Sequence, residues 1–495
     1  MIPLSKLIPQ DAVVVTGNMR TLVSRIAFDS RKVTPGTLFA ALNGSNFDGN
    51  NYIADAIKAG AIAILTEKDI TNPNVPIIRV PNARKALSFL AKIFYDDPSA
   101  RLQLAGITGT KGKTTTTYMM QSILRQKFDQ AFRLGTVEYD LGFTKRPAKN
   151  TTPESLDLVE ILHEISRKGI KAGVMEVSSH ALKTWRVEDI TFAAVGFTNL
   201  SLEHTEFHPN MEDYYQAKRR LFIELLPPDG TAVININDEF GKRLHKDCLK
   251  AGKKISTIAL EDADADLFTS DLKLNGTCSE FILSQQGEKF SLKLSLPGKF
   301  NVMNALMAAA LSRCLEIEWR QIITGLERIK TVPGRFESIA NSRDITVIVD
   351  YAHSPAALEN VLITARPLTQ GKMITVFGCG GNRSQEKRPV MGKISVALSD
   401  ITIVTSDNPR KEKPEEIISQ IMAGINSLNH DPNKKIFSEA DRRKAIVMAL
   451  SMAKKGDLVI IAGKGHETGQ TFSDHTLPFD DREVAREILE GNEHA

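Results

Sequence analysis

The chain has 495 residues, of which 42% are hydrophobic and 25% charged, so it is long enough for several domains and too apolar for extensive disorder. Its formal net charge of +4 gives no reason to expect nucleic acid or a membrane as a partner. The four cysteines lie far apart and form no CxxC pair, and no apolar run approaches the roughly 18 residues that span a bilayer. We therefore expect a cytoplasmic protein without disulfides, a zinc site or a membrane span, and the N-terminus lacks the pattern of a signal peptide.

Short β-rich runs alternate with helix-like runs along most of the chain, which favours an α/β fold with parallel sheets. The predicted strands are Ala61–Leu65, Pro76–Val80, Leu102–Thr108, Ala172–Val177, Ala193–Thr198, Thr231–Ile236, Ile345–Asp350, Met373–Phe377, Ile401–Thr405 and Leu458–Ala462. Ligands of such sheets bind at the carboxyl ends of the strands. We therefore expect functional residues in the segments that follow these runs.

Two breaks in the pattern divide the chain into three predicted domains. A polar, proline-bearing segment covers 95–99, and a Pro-Gly turn lies at 331–334. The predicted domains are 1–99, 100–331 and 332–495. Within the middle one, alternating apolar runs over 271–296 are separated by Asn-Gly and Gln-Gly turns and predict β-hairpins.

A glycine-rich stretch over 109–115 follows the strand Leu102–Thr108 and precedes a helix-like run. Glycines let backbone N–H groups approach phosphates, and a helix N-terminus supplies partial positive charge. Lys113 is placed to meet terminal phosphates, and Thr114 offers a hydroxyl to Mg²⁺. The strict spacing is not kept, because Ile107 stands where the first glycine would lie. The stretch predicts a nucleotide phosphate site, with an ordinary glycine turn as the alternative.

Three further features of the middle segment carry possible chemistry. Glu176 closes a predicted strand and could hold Mg²⁺, although a solvated glutamate beside capping serines is equally consistent. The run 199–208 contains two histidines and two carboxylates, which suggests a metal or phosphate site but is also common in exposed loops. Lys218, on the helical run Tyr214–Phe222, cannot be told from a surface lysine by these patterns.

In the third segment, polar loops follow four predicted strands. They cover 350–355, 377–383, 406–410 and 462–467. The glycines of 377–383 lack the GxGxxG spacing, so they do not indicate NAD. Together the loops would line one sheet edge, which favours a polar small-molecule pocket.

These motifs, taken in their order, resemble the Mur ligases of peptidoglycan synthesis over essentially the whole chain. The motifs that carry the resemblance are Asp29–Gly36, Asp48-Gly49, Gly109–Thr115, Asn150–Pro153, Glu176–His180, Asn199–Ser201 with Glu203-His204, Ala217-Lys218, Pro297–Asn301, Gly334–Glu337, Asp350–His353 and Gly463–Glu467. Phe377–Gly381 and Asp407–Arg410 narrow it to the branch that adds the third residue of the peptide.

The resemblance implies three domains: one for the UDP part of the substrate, a central P-loop-type ATPase sheet, and a C-terminal Rossmann-like domain for the incoming amino acid. It also implies a reaction. The D-Glu side-chain carboxylate of UDP-N-acetylmuramoyl-L-Ala-D-Glu takes a phosphoryl group from ATP, and an amine then attacks the acyl phosphate to give an amide, ADP and phosphate. The implied partners are this nucleotide substrate and an amino acid, and we expect a monomer.

The resemblance also implies roles for residues of this chain. Catalytic roles fall to Lys113, Glu176, His204 and Lys218. ATP would be held by Gly109, Thr110, Lys111, Gly112, Lys113, Thr114, Thr115, Asn301, Asn304, Arg335 and Asp350. The UDP substrate would be held by Ser30, Thr151, Thr152, Ser178 and Arg186. The amino acid would be held by Arg383, Asp407, Asn408, Pro409, Arg410, Gly463 and Glu467. Mg²⁺ would be held by Thr114, Glu176, His204 and Lys218, the last as a carbamate formed with CO₂.

The run Asp407–Arg410 matches family members that add meso-diaminopimelate. An arginine can fork onto a carboxylate, and meso-diaminopimelate has one at its far end where lysine has none.

The nearest alternative function is the same ligase adding L-lysine. Two others are a folylpolyglutamate-synthetase-like ligase and a protein that binds nucleotide without making a bond. Several positions depart from the family pattern, namely Asn50, Lys111, Thr184, Glu203 and Asn382.

Overall fold

The computed structural model describes residues 1–44, 48–70, 75–201, 207–275, 278–428 and 431–491, apart from the side chain of Val14. Contacts between Cα atoms divide the chain into two compact units. The first comprises Met1–Thr269, Leu283–Phe290 and Met303–Leu326, and the second comprises Ser270–Ile282, Ser291–Val302 and Glu327–Ala495. The three-domain division at 99 and 331 stays a prediction. The mixed α/β class is confirmed, and every predicted strand is present to within one residue at each end.

The first unit begins with a five-stranded sheet in the order β2-β7-β6-β5-β4, parallel except for β2. A separate pair is formed by β1 and β3. The elements are β1 (Ile2–Pro3), β2 (Val14–Val15), β3 (Leu22–Val23), β4 (Arg25–Ala27), β5 (Thr37–Ala40), α1 (Ile53–Lys58), β6 (Ala61–Thr66), β7 (Ile77–Arg79) and α2 (Ala83–Phe94). Helix α2 begins at Ala83 because the Asn82 side chain accepts a hydrogen bond from the Lys85 amide at 2.9 Å.

A larger sheet follows. Its elements are β8 (Gln103–Thr108), α3 (Lys113–Lys127), β9 (Phe132–Leu134), β10 (Glu138–Asp140), β11 (Lys145–Pro147), α4 (Ser155–Arg167), β12 (Ala172–Glu176), α5 (Ser179–Lys183), β13 (Ala194–Phe197), α6 (Met211–Arg220), β14 (Thr231–Asn235), α7 (Glu239–Lys250), β15 (Lys254–Leu260), β16 (Leu267–Leu274), β17 (Ser279–Gln285), β18 (Glu288–Leu294), α8 (Lys299–Cys314) and α9 (Trp319–Arg328). The strand order is β11-β10-β9-β12-β8-β13-β14-β15-β16-β17-β18. Strands β16, β17 and β18 are neighbours in the sheet and lie where hairpins were predicted, and residues 276 and 277, at the first predicted turn, lie outside the described residues.

The middle strands of this sheet position the site. β12, β13 and β14 are buried along their whole length, as near-continuous apolar runs are in parallel sheets covered on both faces. β8 lies between β12 and β13 and is parallel to both, with Ile107 opposite Glu176 and Thr108 opposite Phe197. The loops that follow these three strands therefore start at the same edge of the sheet.

The second unit contains a six-stranded sheet in the order β19-β20-β24-β21-β22-β23, parallel except for β19. Its elements are β19 (Glu337–Ser338), β20 (Thr346–Asp350), α10 (Pro355–Ala365), β21 (Met373–Phe377), α11 (Lys387–Leu398), β22 (Ile401–Thr405), α12 (Pro414–Asn426), β23 (Lys435–Glu439), α13 (Arg442–Met452), β24 (Leu458–Ala462), β25 (Gly469–Thr471), β26 (Thr476–Pro478) and α14 (Asp481–Leu489).

Alternate residues of these strands point to two apolar cores. α10, α11 and α12 pack on one face of the sheet, and α13 and α14 pack on the other. This is the doubly wound, Rossmann-like arrangement expected for the C-terminal segment. Within the described ranges, no helix is long and apolar enough to cross a membrane.

Candidate active site

The phosphate loop of the first unit has the backbone that the sequence predicts. Gly109 and Gly112 have φ of +147° and +85°, which glycine adopts far more readily than other residues. A Cβ on Gly109 would lie 1.9 Å from the Thr198 hydroxyl. Helix α3 begins directly after the loop, at Lys113. The Lys113 ammonium folds back and donates to the carbonyls of Gly109 and Thr110, at 2.7 and 3.0 Å.

The segment after β13 holds this loop in place. The Lys111 amide donates to Asn199 Oδ1 at 2.9 Å, and the Thr198 hydroxyl donates to the Lys111 carbonyl at 2.7 Å. The Thr110 amide donates to the Asn199 carbonyl at 2.9 Å. Lys111 is one of the positions that depart from the family pattern. It contacts the segment after β13 through its backbone amide and carbonyl, so these contacts do not depend on its side chain.

Glu176, at the end of β12, is almost fully buried and collects three hydrogen bonds. The Thr114 hydroxyl donates to Oε1 at 3.0 Å, and Thr136 donates its amide to Oε1 at 2.9 Å and its hydroxyl to Oε2 at 3.0 Å. The carboxylate and hydroxyls form a cluster of hard oxygen ligands beside the phosphate loop, which suits Mg²⁺. Thr136 was not predicted, because no local motif marks it.

Lys218 is 1% exposed and lies on α6, one turn from the 221–225 segment, where the helix widens to π-type. Its Nζ donates to the Gly109 carbonyl at 3.0 Å and contacts the Thr108 hydroxyl at 3.5 Å. The ring centroid of Tyr214 lies 4.5 Å from the same Nζ. The structure therefore places Lys218 against the phosphate loop. The sequence pattern of the helix had left a surface position equally open.

His204, predicted as a metal ligand, lies outside the described residues, as does Glu203. Within the described part of the chain, no group of three or more His, Cys, Asp and Glu side chains could hold a metal ion. The neighbouring His208 is buried, and its Nδ1 lies 2.6 Å from the Asp213 carboxylate.

The residues predicted for the muramoyl part of the substrate form one cluster beside Glu176. The Thr152 hydroxyl donates to the Glu176 carbonyl at 2.9 Å and accepts from the Ser178 amide at 3.1 Å. The hydroxyls of Thr151 and Thr136 are 3.1 Å apart.

Arg186 completes this cluster. Its Nη1 donates to the Thr152 carbonyl at 3.0 Å, and its Nη2 pairs with Glu154 at 2.9 Å, which also pairs with Arg84 at 2.9 Å. Trp185, just before it, has φ of +54°. The ion pairs with Glu154 were not predicted, since the partner of an arginine depends on tertiary structure.

Ser30, predicted for the UDP part, is half-buried and starts a short 3₁₀ turn after Asp29, whose carboxylate accepts from the Arg31 amide at 3.0 Å. The departure at Asn50 has a clear local role. Its side-chain Nδ2 donates to Asn43 Oδ1 at 2.9 Å, and its side-chain Oδ1 accepts from the Thr66 hydroxyl at 2.6 Å.

The two asparagines predicted near adenine are buried on α8. In the first unit, Asn304 Oδ1 accepts from the Thr116 hydroxyl at 3.4 Å, and it would lie 2.3 Å from a Cβ on Gly112. In the second unit, the Asn301 side-chain Nδ2 donates to the Pro297 carbonyl at 2.8 Å.

The second unit brings together the loops predicted for the amino acid. Asn408 Nδ2 donates to the Glu467 carboxylate at 2.7 Å. The fully buried Lys464 ammonium lies 3.2 Å from both Asn408 Oδ1 and Glu467 Oε2, and donates to the Gly469 carbonyl at 2.6 Å. Lys464 belongs to the quoted motif, but it was not predicted as a site residue.

Gly463 and Arg410 both have positive φ angles, of +118° and +52° respectively. A Cβ on Gly463 would lie 2.7 Å from the Asp407 carboxylate. Arg410 is half-buried, and its Nη1 donates to the Gly381 carbonyl at 3.0 Å. Arg383 is exposed and has no hydrogen-bond or ion-pair partner among the described residues. Two cations thus stand near the loops that follow β21 and β22.

Asp350 and Arg335, predicted to contact ATP, lie near the start of the second unit's sheet. Asp350 Oδ2 accepts from the Phe336 amide at 2.7 Å, and the Arg335 guanidinium lies over the Tyr351 ring, 4.8 Å from its centroid. Burial, and to a lesser extent the charge of Arg335, lowers the pKa of His466 to about 3. His466 is therefore a neutral ring at pH 7.

Known proteins are similar to this chain over nearly its whole length. Models of the "Mur ligase family, catalytic domain", the "Mur ligase middle domain" and the "Mur ligase, glutamate ligase domain" match residues 22–95, 107–312 and 334–465. A UDP-N-acetylmuramoyl-L-alanyl-D-glutamate–2,6-diaminopimelate ligase of Fusobacterium nucleatum is 42% identical over 463 residues, 93% of each chain. One from Clostridium acetobutylicum is 41% identical over 480 residues, 96% of each chain.

Solved structures agree with these matches. A structure with the same ligase name has a TM-score of 0.71 at 29% identity and covers 100% of both chains. The MurF ligase of Thermotoga maritima, in complex with ADP, shares the fold with a TM-score of 0.61 at 22% identity, covering 95% of this chain and 96% of that one. A folylpolyglutamate synthase of Mycobacterium tuberculosis also shares the fold, with a TM-score of 0.61 at 16% identity, but the match covers only 75% of this chain.

The relatives at about 40% identity over nearly the whole chain define the class of protein. This chain belongs to the Mur ligase family.

Proposed function

We propose that this protein is an ATP-dependent ligase that joins meso-diaminopimelate to the D-Glu side-chain carboxylate of UDP-N-acetylmuramoyl-L-Ala-D-Glu, a step of peptidoglycan precursor synthesis. The observation that carries the proposal is the buried Lys218 ammonium, 3.0 Å from the Gly109 carbonyl of the phosphate loop. A protein that only binds nucleotide has no need of a buried lysine at that place.

The chemistry explains why such a loop is needed. A carboxylate is a poor acyl donor, and a phosphoryl group makes it a good one. Transfer of that group depends on positioning and on positive charge around the phosphoryl oxygens. Lys113 and the first turn of α3 supply this charge, and the Thr151–Thr152 segment with Ser178 and Arg186 would hold the acceptor carboxylate beside it.

The oxygen cluster of Thr114 and Glu176 fits Mg²⁺. When bound, the ion would neutralise charge on the phosphoryl oxygens. Lys218 as an ammonium cannot be a metal ligand, but burial disfavours the charged form, and a neutral amine can add CO₂. The amine nitrogen bonds the carbon of CO₂ and releases one proton, which leaves an anionic carbamate with oxygen ligands. His204 is proposed as a further ligand.

The amino-acid site is proposed in the loops of the second unit. The Arg383 and Arg410 guanidinium groups would bind carboxylates, and Glu467 would bind the distal ammonium. The curated relatives in Fusobacterium nucleatum and Clostridium acetobutylicum carry names that specify 2,6-diaminopimelate, which supports this substrate over lysine. The folylpolyglutamate-like alternative is weakened, because the two named relatives match 96% and 93% of this chain, whereas the folylpolyglutamate synthase matches only 75% of it.

Replacement of Lys218 by alanine tests the ligase against a nucleotide-binding scaffold. We expect phosphate release to fall by at least about a hundredfold, which corresponds to about 2.7 kcal/mol of transition-state stabilisation, while ATP affinity changes little. Phosphate release and ATP binding are measured on the same preparations, with all three substrates present for the first. Turnover that survives in the variant would contradict the role of Lys218.

A further inference from the structure

An ion pair between a fully buried arginine and a partly exposed glutamate connects the proposed amino-acid loops of the second unit. Arg388, on α11, is fully buried, and its Nη1 and Nη2 donate to the two carboxylate oxygens of Glu412 at 2.7 and 3.0 Å. Nη1 also donates to Gln420 Oε1 at 2.8 Å, and Nη2 contacts the Gly380 carbonyl at 3.4 Å. A forked arginine–carboxylate pair of this kind fixes geometry as well as charge.

The same pair joins the loops that follow β21 and β22. Glu412, from the second loop, also accepts a hydrogen bond from the amide of Asn382 in the first. Asn382 Oδ1 accepts in turn from the Lys411 amide at 3.0 Å. The hydrogen bond from Arg388 keeps the pKa of Glu412 below its ordinary value, so the carboxylate is charged at neutral pH.

The backbone of the 380–382 segment, which the ion pair holds in place, also orients Arg410. The Nη1 of Arg410 donates to the carbonyl of Gly381, and the Gly381 amide donates to the Asn408 carbonyl at 2.9 Å. A Cβ on Gly381 would lie 1.9 Å from the Pro409 carbonyl oxygen, so the two loops are in direct contact. A shift of the 380–382 segment would therefore move the acceptor that holds the Arg410 guanidinium.

We infer that the Arg388–Glu412 ion pair determines amino-acid specificity by positioning Arg410. The pair does not touch the substrate itself. It fixes the 380–382 segment against the 407–410 segment, so that the Arg410 guanidinium meets the distal carboxylate in one orientation. This inference rests on the proposed function, since it needs a substrate with a second carboxylate.

Glu412→Gln and Arg388→Lys test it, because each keeps a polar group of similar size and removes the charged fork. We expect the KM for meso-diaminopimelate to rise about tenfold in each, with the KM values for ATP and for the UDP substrate within about twofold of wild type. The matched control is Glu487→Gln, which breaks the 2.8 Å pair with Arg443 between α13 and α14 and should leave all three KM values unchanged.

A double-mutant cycle separates positioning from a merely structural role. If the pair acts through Arg410, Glu412→Gln adds little to the KM of Arg410→Ala, so the two effects are strongly non-additive. Additive effects, or equal rises in all three KM values, would overturn the inference. If Glu412→Gln does not fold, the cycle is run with Arg388→Lys, which retains the buried charge. Absence of meso-diaminopimelate turnover in the wild type would instead refute the proposed function, and the inference with it.

Discussion

At the scale of single residues, Arg410 is the residue proposed to determine which amino acid is added. Its guanidinium is half-buried and oriented by a backbone carbonyl, so it is organised before a substrate arrives. Removing a charge-assisted hydrogen bond of this kind costs about 1.5–3 kcal/mol. We therefore predict that Arg410→Ala raises the KM for meso-diaminopimelate by roughly ten- to a hundredfold. Steady-state kinetics checks this, with the KM for ATP as the internal control, and an unchanged KM for the amino acid would remove Arg410 from the site.

His466 makes the second unit sensitive to acid. Its ordinary pKa of 6.5 falls to about 3 in the folded chain, mainly because of burial. Between these values the unfolded chain binds a proton that the folded chain does not, so the free energy of unfolding decreases as the pH falls. From pH 7 to pH 5 this residue alone contributes a loss of about 2 kcal/mol.

We predict that His466→Gln removes that contribution. Chemical denaturation of the full chain at pH 7 and pH 5 should show a smaller acid shift of the unfolding midpoint in the variant than in wild type. Equal shifts in the two proteins would mean that folding does not lower the pKa of His466.

At the scale of elements, the phosphate loop depends on Gly109. A side chain there would meet the Thr198 hydroxyl at 1.9 Å in a backbone conformation with φ of +147°. We predict that Gly109→Ala weakens ATP binding at least about tenfold, because the loop must move to relieve the contact. Gly169, after α4, is the matched control, since its φ is +78° and a Cβ there meets nothing within 4 Å.

Binding of ATP by calorimetry distinguishes the two variants. Gly169→Ala should bind ATP like wild type after a small loss of stability. Equal weakening in both variants would show that general destabilisation, and not the shape of the phosphate loop, causes the effect.

Ten of the strands were predictable from the sequence for a physical reason, whereas others, such as β15, β19 and β23, were not predicted. Runs such as Met373–Phe377 and Leu458–Ala462 are buried along their whole length, so nearly every residue is apolar and the ends are marked by small or charged residues. A helix was predicted over Tyr214–Phe222, and α6 begins three residues earlier, at Met211; the burial of its side chains was not predictable. Nothing in its spacing shows that Lys218 is buried, and only the family resemblance identified it.

The candidate site was predictable where a motif is local and not where partners are distant in sequence. Each of the motifs Gly109–Thr115 and Asp407–Arg410 is a continuous stretch of sequence. Their glycines and polar residues therefore indicate a loop conformation directly. Thr136, Glu154, Lys464 and Arg388 act through partners on other elements, which a single sequence does not specify. Asn382 illustrates the difference: it departs from the family pattern, and its contacts, an amide that donates to Glu412 and an Oδ1 that accepts from the Lys411 amide, join two loops that are distant in sequence.

At the scale of the whole molecule, we predict a monomer. Both apolar cores of the second unit's sheet are covered by the chain's own helices. Sedimentation equilibrium should give a mass near 54.6 kDa at micromolar concentration, with and without ATP. A mass near twice that value would contradict the prediction and call for a search for the subunit interface.

The proposed function is one reaction with one amino acid, meso-diaminopimelate. The most direct measurement is phosphate release from ATP in the presence of UDP-N-acetylmuramoyl-L-Ala-D-Glu, with meso-diaminopimelate and L-lysine compared in parallel. We predict release with meso-diaminopimelate only, since Arg410 would face the lysine ammonium as one cation facing another. Equal or faster release with lysine would contradict the role of Arg410, and no release with either amino acid would contradict the proposed ligase reaction.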